Sequence, residues 1–202
     1  MSTYEMVNSW SVVILTGGTS KRFGSDKSEA LINERALIDH VIDAIPVDVP
    51  VIVVGPDRAE FPSRVQVTQE DPIHGGPVAG FAAGLSHVTT EFVALLATDM
   101  PNAASAIPQL LAHITPECDV VLAVDSQGFR QPFCGMYRVP SVFAALSRSS
   151  SVHGESMRNL LAGLGVVEIA LAQESLTLID IDTPEDLIAA QDNLRHVNTK
   201  ES

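Results

Sequence analysis

Short apolar runs alternate with amphipathic segments along the chain, and this alternation predicts strands that alternate with helices. The predicted strands cover residues 11–16, 51–54, 64–68, 91–98, 119–124 and 166–171. The predicted helices cover residues 36–45, 78–88, 105–114, 156–162 and 184–194. This order is typical of an α/β protein with three layers and a mostly parallel sheet. We expect a single domain over residues 1–202, with a core of about 11–195.

The charge balance narrows the choice of partners. Lys and Arg number 12 against 25 Asp and Glu, which gives a formal net charge of −13. A chain this acidic is a poor general binder of nucleic acid or of an anionic membrane surface, because both need a cationic face. If the protein binds a small polyphosphate, the positive charge must come from a local cluster or from a metal ion.

Targeting signals and cysteine chemistry are weak in this sequence. Residues 1–10 lack the basic and apolar regions of a signal peptide, and the apolar run 92–97 is far shorter than the roughly 20 residues of a membrane helix. Cys118 and Cys134 have no CxxC spacing and no accompanying histidine pattern. These features predict a cytoplasmic protein with two reduced cysteines and no membrane partner.

In open α/β sheets, ligands bind in the loops at the carboxyl ends of the strands, so these loops carry the candidate chemistry. The first such loop holds Gly17 and Gly18, which let the backbone approach a ligand and offer N–H donors to phosphate. Lys21, Arg22 and Lys27 follow, whereas residues 65–129 contain neither Lys nor Arg. The loop therefore predicts a phosphate site, with an ordinary solvated glycine-rich loop as the alternative.

The second candidate loop covers residues 70–80. Gly75 and Gly76 precede Pro77, which suits the first turn of a helix, and a helix N-terminus attracts anions. His74 could contact a substrate, although a lone loop histidine is more often incidental. The small residues that follow also fit a purely structural role in close helix packing.

Two acidic segments are candidates for metal binding. Asp99 follows a strongly apolar predicted strand, and a carboxylate there suits Mg²⁺ held by one or two carboxylates, phosphate oxygens and water. The alternative is that Asp99 caps the next helix. Asp180 and Asp182 alternate around one residue, so either could complete the metal site, while entry into the helix that begins at Pro184 explains them about equally well.

The nucleophile motifs GxSxG and HExxH are absent from the sequence, and so is the dinucleotide fingerprint of dehydrogenases. A reaction that depends on positioning, cations and a metal fits better. Phosphoryl or nucleotidyl transfer is chemistry of that kind.

Several segments taken in order resemble one family, the molybdenum cofactor guanylyltransferases and related nucleotidyltransferases. Residues 15–27 resemble the signature LAGGxxxRMGxDK, residues 70–80 the loop that ends in GPLAG, and residues 98–101 the metal-binding DxP segment. Three further stretches, QP with GMYR at 131–138, SMRNLL at 156–161 and DIDTPEDL at 180–187, follow in the family's order. The resemblance extends over about residues 11–192.

The resemblance implies a Rossmann-like nucleotidyltransferase fold and a reaction of GTP with molybdopterin that yields the guanine dinucleotide cofactor and pyrophosphate. It implies that Leu15, Thr16 and Gly17 meet the guanine base through their backbone, and that Asp71 helps to hold the nucleoside. Lys27, with Arg22, would neutralise phosphates, and Asp99 would bind Mg²⁺. Molybdoenzymes or cofactor-delivery proteins are the implied protein partners.

This sequence departs from the family pattern at three positions. Thr16 stands where Ala is usual, Gly55 where some members have a nucleotide-binding Asn, and Asp182 where several guanylyltransferases have Asn. The segment DIDTPEDL also occurs in relatives that use CTP, while the paired Gly17 and Gly18 favour guanine. A CTP-dependent cytidylyltransferase of the same fold and a non-catalytic nucleotide-binding protein therefore remain as alternative hypotheses.

Overall fold

A computed structural model describes residues 10–16, 31–32, 35–58 and 61–171. Its central feature is a seven-stranded sheet in the order β5-β4-β1-β6-β8-β7-β9, and a separate two-stranded sheet pairs β2 with β3. The strands are β1 (Trp10–Leu15), β2 (Leu31–Ile32), β3 (Arg35–Ala36), β4 (Val51–Val54), β5 (Val65–Thr68), β6 (Phe92–Ala97), β7 (Val120–Val124), β8 (Arg130–Arg138) and β9 (Val166–Ala170).

The sheet is mostly parallel, as the sequence predicts. Strands β5, β4, β1 and β6 pair in parallel, as do β7 and β9. Within the described residues β8 alone is reversed, because it pairs antiparallel with both β6 and β7. The carboxyl ends of the other six strands of this sheet therefore meet at one edge, which we call the carboxyl edge.

Strand β8 was missed by the sequence pattern, and its residues explain why. Pro132 and Gly135 interrupt the segment, and both are depleted in regular strands. The pairing register with β7 shifts between Leu122 and Ala123, so Pro132 lies in a bulge where its missing N–H costs little. A Cβ on Gly135 would collide with the side chain of Leu122, so close packing between the two strands requires glycine here.

The helices lie on both faces of the sheet and confirm the three-layer arrangement. They are α1 (Leu37–Asp43), α2 (Pro77–Leu85), α3 (Ile107–Ala112), α4 (Val139–Leu146) and α5 (Met157–Leu161), with a 3₁₀ helix at Ala103–Ala106. The predicted helix 78–88 is three residues too long at its end, and α4 was not predicted. The predicted helix 184–194 lies outside the described residues.

Each strand in the centre of the sheet is apolar on both faces. In β1, Val12 and Ile14 pack with α1 and α3, while Val13 and Leu15 pack with α2, α4 and α5. Helix α2 approaches the sheet closely, because a Cβ on Gly84 would stand 2.7 Å from Val13 Cγ1. The structure therefore confirms the alternative that small residues of this segment allow close packing of the helix.

The edge of the sheet opposite the carboxyl edge is held together by Asp119. Its carboxylate accepts hydrogen bonds from Ser141 Oγ at 2.5 Å and from the backbone N–H of Gly165 at 2.8 Å. The Ser141 hydroxyl, and then the Gly165 N–H, lower the pKa of Asp119 below the 3.8 of an unperturbed aspartate. Asp119 thereby joins the start of β7 to α4 and to the segment that leads into β9.

We expect Asp119→Asn to lower the free energy of unfolding at pH 7 by about 1 kcal/mol, the usual net value of such a hydrogen bond. A carboxyl group with a lowered folded-state pKa stabilises the fold above its unfolded pKa and loses that contribution as the pH falls through the folded value. The gap between the wild type and the variant should therefore begin to narrow at about pH 4, near the unfolded pKa, and should continue to narrow as the pH falls through the folded-state pKa. Urea unfolding at pH 7 and at pH 3 measures it, and a gap that stays constant would contradict the assignment.

Candidate active site at the carboxyl edge

The chain reverses its direction of winding at β1. It builds β4 and β5 on one side of β1 and then returns to place β6 on the other side. Such a switch point opens a crevice at the carboxyl ends of the two central strands, where α/β proteins bind ligands. The backbone N–H of Thr98 donates to the carbonyl of Leu15 at 3.2 Å, so the ends of β1 and β6 are directly joined. Leu15 and the residue that precedes Asp99 are therefore neighbours at the carboxyl edge.

Thr16 lies at the centre of this edge and is buried, with 6% of its surface exposed. Its backbone N–H and its hydroxyl both donate to the carbonyl of Val54, at 3.1 and 3.0 Å. Gly55, which directly follows β4, donates its N–H to the carbonyl of Thr68 at 2.9 Å. A continuous set of hydrogen bonds thus ties the ends of β5, β4, β1 and β6 together.

Asp99 follows the fully buried strand β6 and is itself half-buried. The alternative that it caps the following helix is wrong, because the 3₁₀ helix begins at Ala103 with Asn102 in the cap position. A carboxylate at the end of an apolar strand fits a Mg²⁺ ligand, since it is a hard oxygen donor at the switch point. Within the described ranges no group of three or more His, Cys, Asp or Glu side chains could hold a metal by itself. A Mg²⁺ ion here would share Asp99 with phosphate oxygens and water.

The loop after β5 places Asp71 and His74 at the same edge. Both side chains are exposed, and the Glu70 carboxylate accepts the backbone N–H of His74 at 3.1 Å, which closes the turn. Gly76 has a φ of +90° and precedes Pro77, which takes the first position of α2 as the sequence predicts. The loop therefore directs the N-terminus of α2 towards the carboxyl edge.

A second loop reaches this one and was not anticipated. Between α4 and α5, the backbone N–H of Gly154 donates to the carbonyl of Gly75 at 2.7 Å. The His153 ring lies against the same glycine, because a Cβ on Gly75 would stand 3.3 Å from His153 Nδ1. The positive φ of Gly154, +73°, marks a turn that the glycine alone could have suggested. His153 thus joins the candidate site residues through tertiary contact.

The contact between these two loops makes a specific prediction about Gly75. A Cβ at this position would stand 2.6 Å from Ala79 Cβ and 3.3 Å from the Pro72 carbonyl, so Gly75→Ala must displace the loop. We expect a loss of about 1–3 kcal/mol in unfolding free energy, typical of overpacking, together with weaker nucleotide binding. Urea unfolding and calorimetric titration measure the two effects. Gly163→Ala is the control, because its added Cβ would meet only the end of the flexible Arg148 side chain in the loop before β9, away from this contact.

The Gln131 and Pro132 motif also lies at the carboxyl edge, at the start of β8. Gln131 donates its side-chain amide to Asp125 at 2.8 Å. The backbone N–H groups of Phe129 and Gln127 also donate to Asp125 and lower its pKa. Asp125 therefore organises the turn between β7 and β8 and fixes the orientation of Gln131.

Five arginines in the described part of the chain have structural partners. Each contacts a carboxylate or a backbone carbonyl: Arg35, Arg64, Arg130, Arg138 and Arg148. Arg58, in the loop after β4, lies 5.7 Å from the centre of the Phe61 ring. Lys21, Arg22 and Lys27, with Gly17, Gly18, Asp180 and Asp182, lie outside the described residues, so their roles stay predictions.

The cysteines play no part in the chemistry of this edge. Cys118 and Cys134 are both free and buried, as the sequence predicts. Burial raises the pKa of the Cys134 thiol to about 12, so this side chain is not a thiolate nucleophile.

Among the described helices, none combines the length and the apolar character that crossing a membrane requires.

The fold and the site define a class. A mostly parallel sheet with a carboxylate at its switch point and a glycine loop before a helix N-terminus is the arrangement of a Rossmann-like nucleotidyltransferase. The profile of the MobA-like NTP transferase domain matches residues 12–169. The chain therefore belongs to the MobA-like NTP transferase family and is a nucleotidyltransferase.

Individual relatives agree with the family. A molybdenum cofactor guanylyltransferase of Aliivibrio fischeri is 32% identical over 147 residues, which cover 69% of this chain and 75% of the relative. A solved structure of molybdopterin-guanine dinucleotide biosynthesis protein A from Archaeoglobus fulgidus has a TM-score of 0.72 at 22% identity, covering 92% of this chain and 99% of its own. The 2-C-methyl-D-erythritol 4-phosphate cytidylyltransferase of Thermus thermophilus has a TM-score of 0.67 at 16% identity, with 92% and 98% covered. These two structures show the same fold.

Proposed function

We propose that this nucleotidyltransferase is a molybdenum cofactor guanylyltransferase that transfers GMP from GTP to the terminal phosphate of molybdopterin and releases pyrophosphate. The observation that carries the proposal is that Thr16 and Asp99 lie at one switch point. The hydrogen bond from the Thr98 N–H to the Leu15 carbonyl joins the two strand ends that these residues follow. The identity with the Aliivibrio fischeri guanylyltransferase supports the choice of substrates.

The roles of the residues follow from where charge develops in the reaction. The terminal phosphate of the acceptor attacks the α-phosphate of GTP, and negative charge grows on the pyrophosphate that leaves. The backbone of Leu15, Thr16 and Gly17 would hold the guanine, and Asp71 the nucleoside. Lys27 and Arg22 would neutralise phosphate oxygens. Asp99 would hold Mg²⁺, which supplies a positive charge close to the phosphates when it is bound.

A CTP-dependent enzyme of the same fold is the second candidate. The likeness to the Thermus thermophilus cytidylyltransferase supports it, since the two folds superpose over almost the whole chain. The segment DIDTPEDL at 180–187, which also occurs in relatives that use CTP, supports it as well. The two candidates differ in the base that the carboxyl edge accepts.

The deciding experiment measures pyrophosphate release with molybdopterin as acceptor, with Mg-GTP and Mg-CTP titrated side by side. We expect kcat/KM to be at least about 10-fold higher for GTP, the ratio that about 1.4 kcal/mol of selective binding provides. A preference for CTP would replace the guanylyl assignment by the cytidylyl one. Tight nucleotide binding without any pyrophosphate release would instead indicate a non-catalytic binding protein.

Lys27→Ala tests the phosphate-binding role within the same assay. We expect kcat to fall about 100-fold or more, as for other groups that stabilise charge in a transition state. Arg35→Ala is the matched control, because Arg35 is paired with Asp43 away from the carboxyl edge. Full activity in Lys27→Ala would remove this residue from the proposed site.

A further inference from the structure

Two residues at neighbouring strand ends share one small space. A Cβ added at Gly55 would overlap the hydroxyl of Thr16 and would lie only 3.2 Å from Thr16 Cβ. Any residue other than glycine at position 55 would therefore collide with the Thr16 side chain. Gly55 also has a φ of +151°, a conformation that residues with a side chain rarely adopt. The side chain of Thr16 therefore occupies the space that a side chain at position 55 would need.

The same hydroxyl sets the geometry of the backbone at this edge. Thr16 Oγ1 donates to the Val54 carbonyl at 3.0 Å, beside the donation from its own backbone N–H at 3.1 Å. The carbonyl of Val54 thus receives two hydrogen bonds from one residue, which fixes the distance and the orientation between the ends of β1 and β4. In the sequence, Thr16 directly precedes Gly17 and Gly18.

We propose that Thr16 and Gly55 form a sterically matched pair that, with the hydrogen bonds from Thr16 to the Val54 carbonyl, positions the backbone of the nucleotide-binding edge. This inference rests on the proposed function, because it takes the nucleotide to bind at this edge. Thr16 is a positioning residue: its hydroxyl acts through the backbone of β1 and β4, and its burial keeps it from serving as a broad contact surface. Because residue 55 is glycine, it would present only its backbone to the bound nucleotide. These are also two of the positions at which the chain departs from the family pattern.

Single substitutions at Thr16 separate the hydroxyl from the bulk of the side chain. Thr16→Val keeps the shape and removes the donor, whereas Thr16→Ser keeps the donor and removes a methyl group. We expect Thr16→Val to weaken GTP binding about 10-fold, measured by calorimetric titration with Mg²⁺, which corresponds to one buried hydrogen bond. Thr16→Ser should remain within about 2-fold of the wild type. In the activity assay the loss should appear in KM for GTP more than in kcat, because the hydroxyl does not touch the reacting phosphates.

The pair itself is tested by a double-mutant cycle. We expect Gly55→Ala to lower GTP affinity about 10-fold or more and to lower the Tm of the ligand-free protein by several degrees. Thr16→Ala in the Gly55→Ala background removes the colliding hydroxyl and should restore at least about half of the lost Tm. Gly163→Ala is the control, because Gly163 lies in the loop before β9, away from the carboxyl edge, and its added Cβ would meet only the end of the flexible Arg148 side chain. It should leave GTP affinity unchanged.

The outcomes separate this inference from the proposed function. Additive effects of Thr16→Ala and Gly55→Ala on the Tm would overturn the pair, whatever the substrate is. Equal GTP affinity for the wild type and Thr16→Val would overturn the positioning role. If the wild type binds no GTP at all, the proposed function fails, while the Tm cycle on the ligand-free protein still decides whether the two residues are coupled.

Discussion

Asp99→Asn should reduce kcat for pyrophosphate release by about 100-fold or more while the protein stays folded. The change removes one negative charge from the end of β6, where a carboxylate would hold Mg²⁺ beside the phosphates of the bound nucleotide. The amide is nearly the same size as the carboxylate, so the packing around the half-buried Asp99 is preserved. The measurement is a titration of Mg²⁺ in the activity assay, in which the variant should also need a higher Mg²⁺ concentration for half-maximal rate.

Asp48→Asn is the matched control for this prediction. Asp48 is an exposed aspartate in the turn that leads into β4, at the edge of the sheet opposite Asp99. It makes the same change in net charge at a distance from the site, so kcat should stay within about 2-fold of the wild type. An Asp99→Asn variant that keeps full activity and the same Mg²⁺ dependence would remove Asp99 from the metal site.

Arg138→Ala should lower the free energy of unfolding by about 3 kcal/mol, the largest loss expected among the substitutions predicted to affect stability. Only 17% of the Arg138 side chain is exposed. The guanidinium donates to the carbonyls of Cys118 at 3.1 Å and Thr115 at 3.0 Å, pairs with the Glu91 carboxylate and lies 4.6 Å from the centre of the Phe92 ring. Truncation removes all of these contacts together, which is why the expected cost exceeds that of one ordinary hydrogen bond.

Two companion variants identify the source of this stability. Glu91→Gln removes only the ion pair and should cost about 0–1 kcal/mol, the usual range near a protein surface. Arg138→Lys keeps the charge but not the fork of donors, so it should behave more like Arg138→Ala. Urea unfolding of all three measures the series. If Glu91→Gln cost as much as Arg138→Ala, the backbone carbonyls would not be the main partners.

The Arg138 contacts also change how the family-like segment 131–138 is interpreted. Tyr137 is fully buried, donates its hydroxyl to the Pro132 carbonyl at 2.7 Å and packs edge-on against Phe81. Arg138 lies at the far end of β8 from the carboxyl edge. This part of the motif is therefore structural, and only Gln131, at the other end of the strand, lies near the candidate site. The sequence could not separate the two roles because nothing in it showed that a reversed strand connects them.

Sequence reasoning succeeded where the physical signal is local. The buried strands β1, β4 and β6 are continuous apolar runs, Pro77 suits the first turn of a helix, and a carboxylate after an apolar strand stands out. It failed at β8. Glycine is needed at position 135 because a Cβ there would collide with Leu122 on the neighbouring strand, and residues close to Gly135 in the sequence do not reveal this. It also failed to find His153, whose contact with Gly75 joins residues far apart in the chain.

By itself, the sequence determined the class of fold, the strand-end loops worth testing and the candidate residue Asp99, since short-range patterns of polarity, glycine and proline control these features. The family resemblance added the candidate residues Thr16 and Asp71. Only the tertiary structure decided that Leu15 and Thr98 join at a switch point, and that Thr16 fills the space above Gly55. The physical reason is that strand order, reversal and steric exclusion depend on which elements become neighbours. Packing between distant parts of the chain determines that, and no local pattern records it.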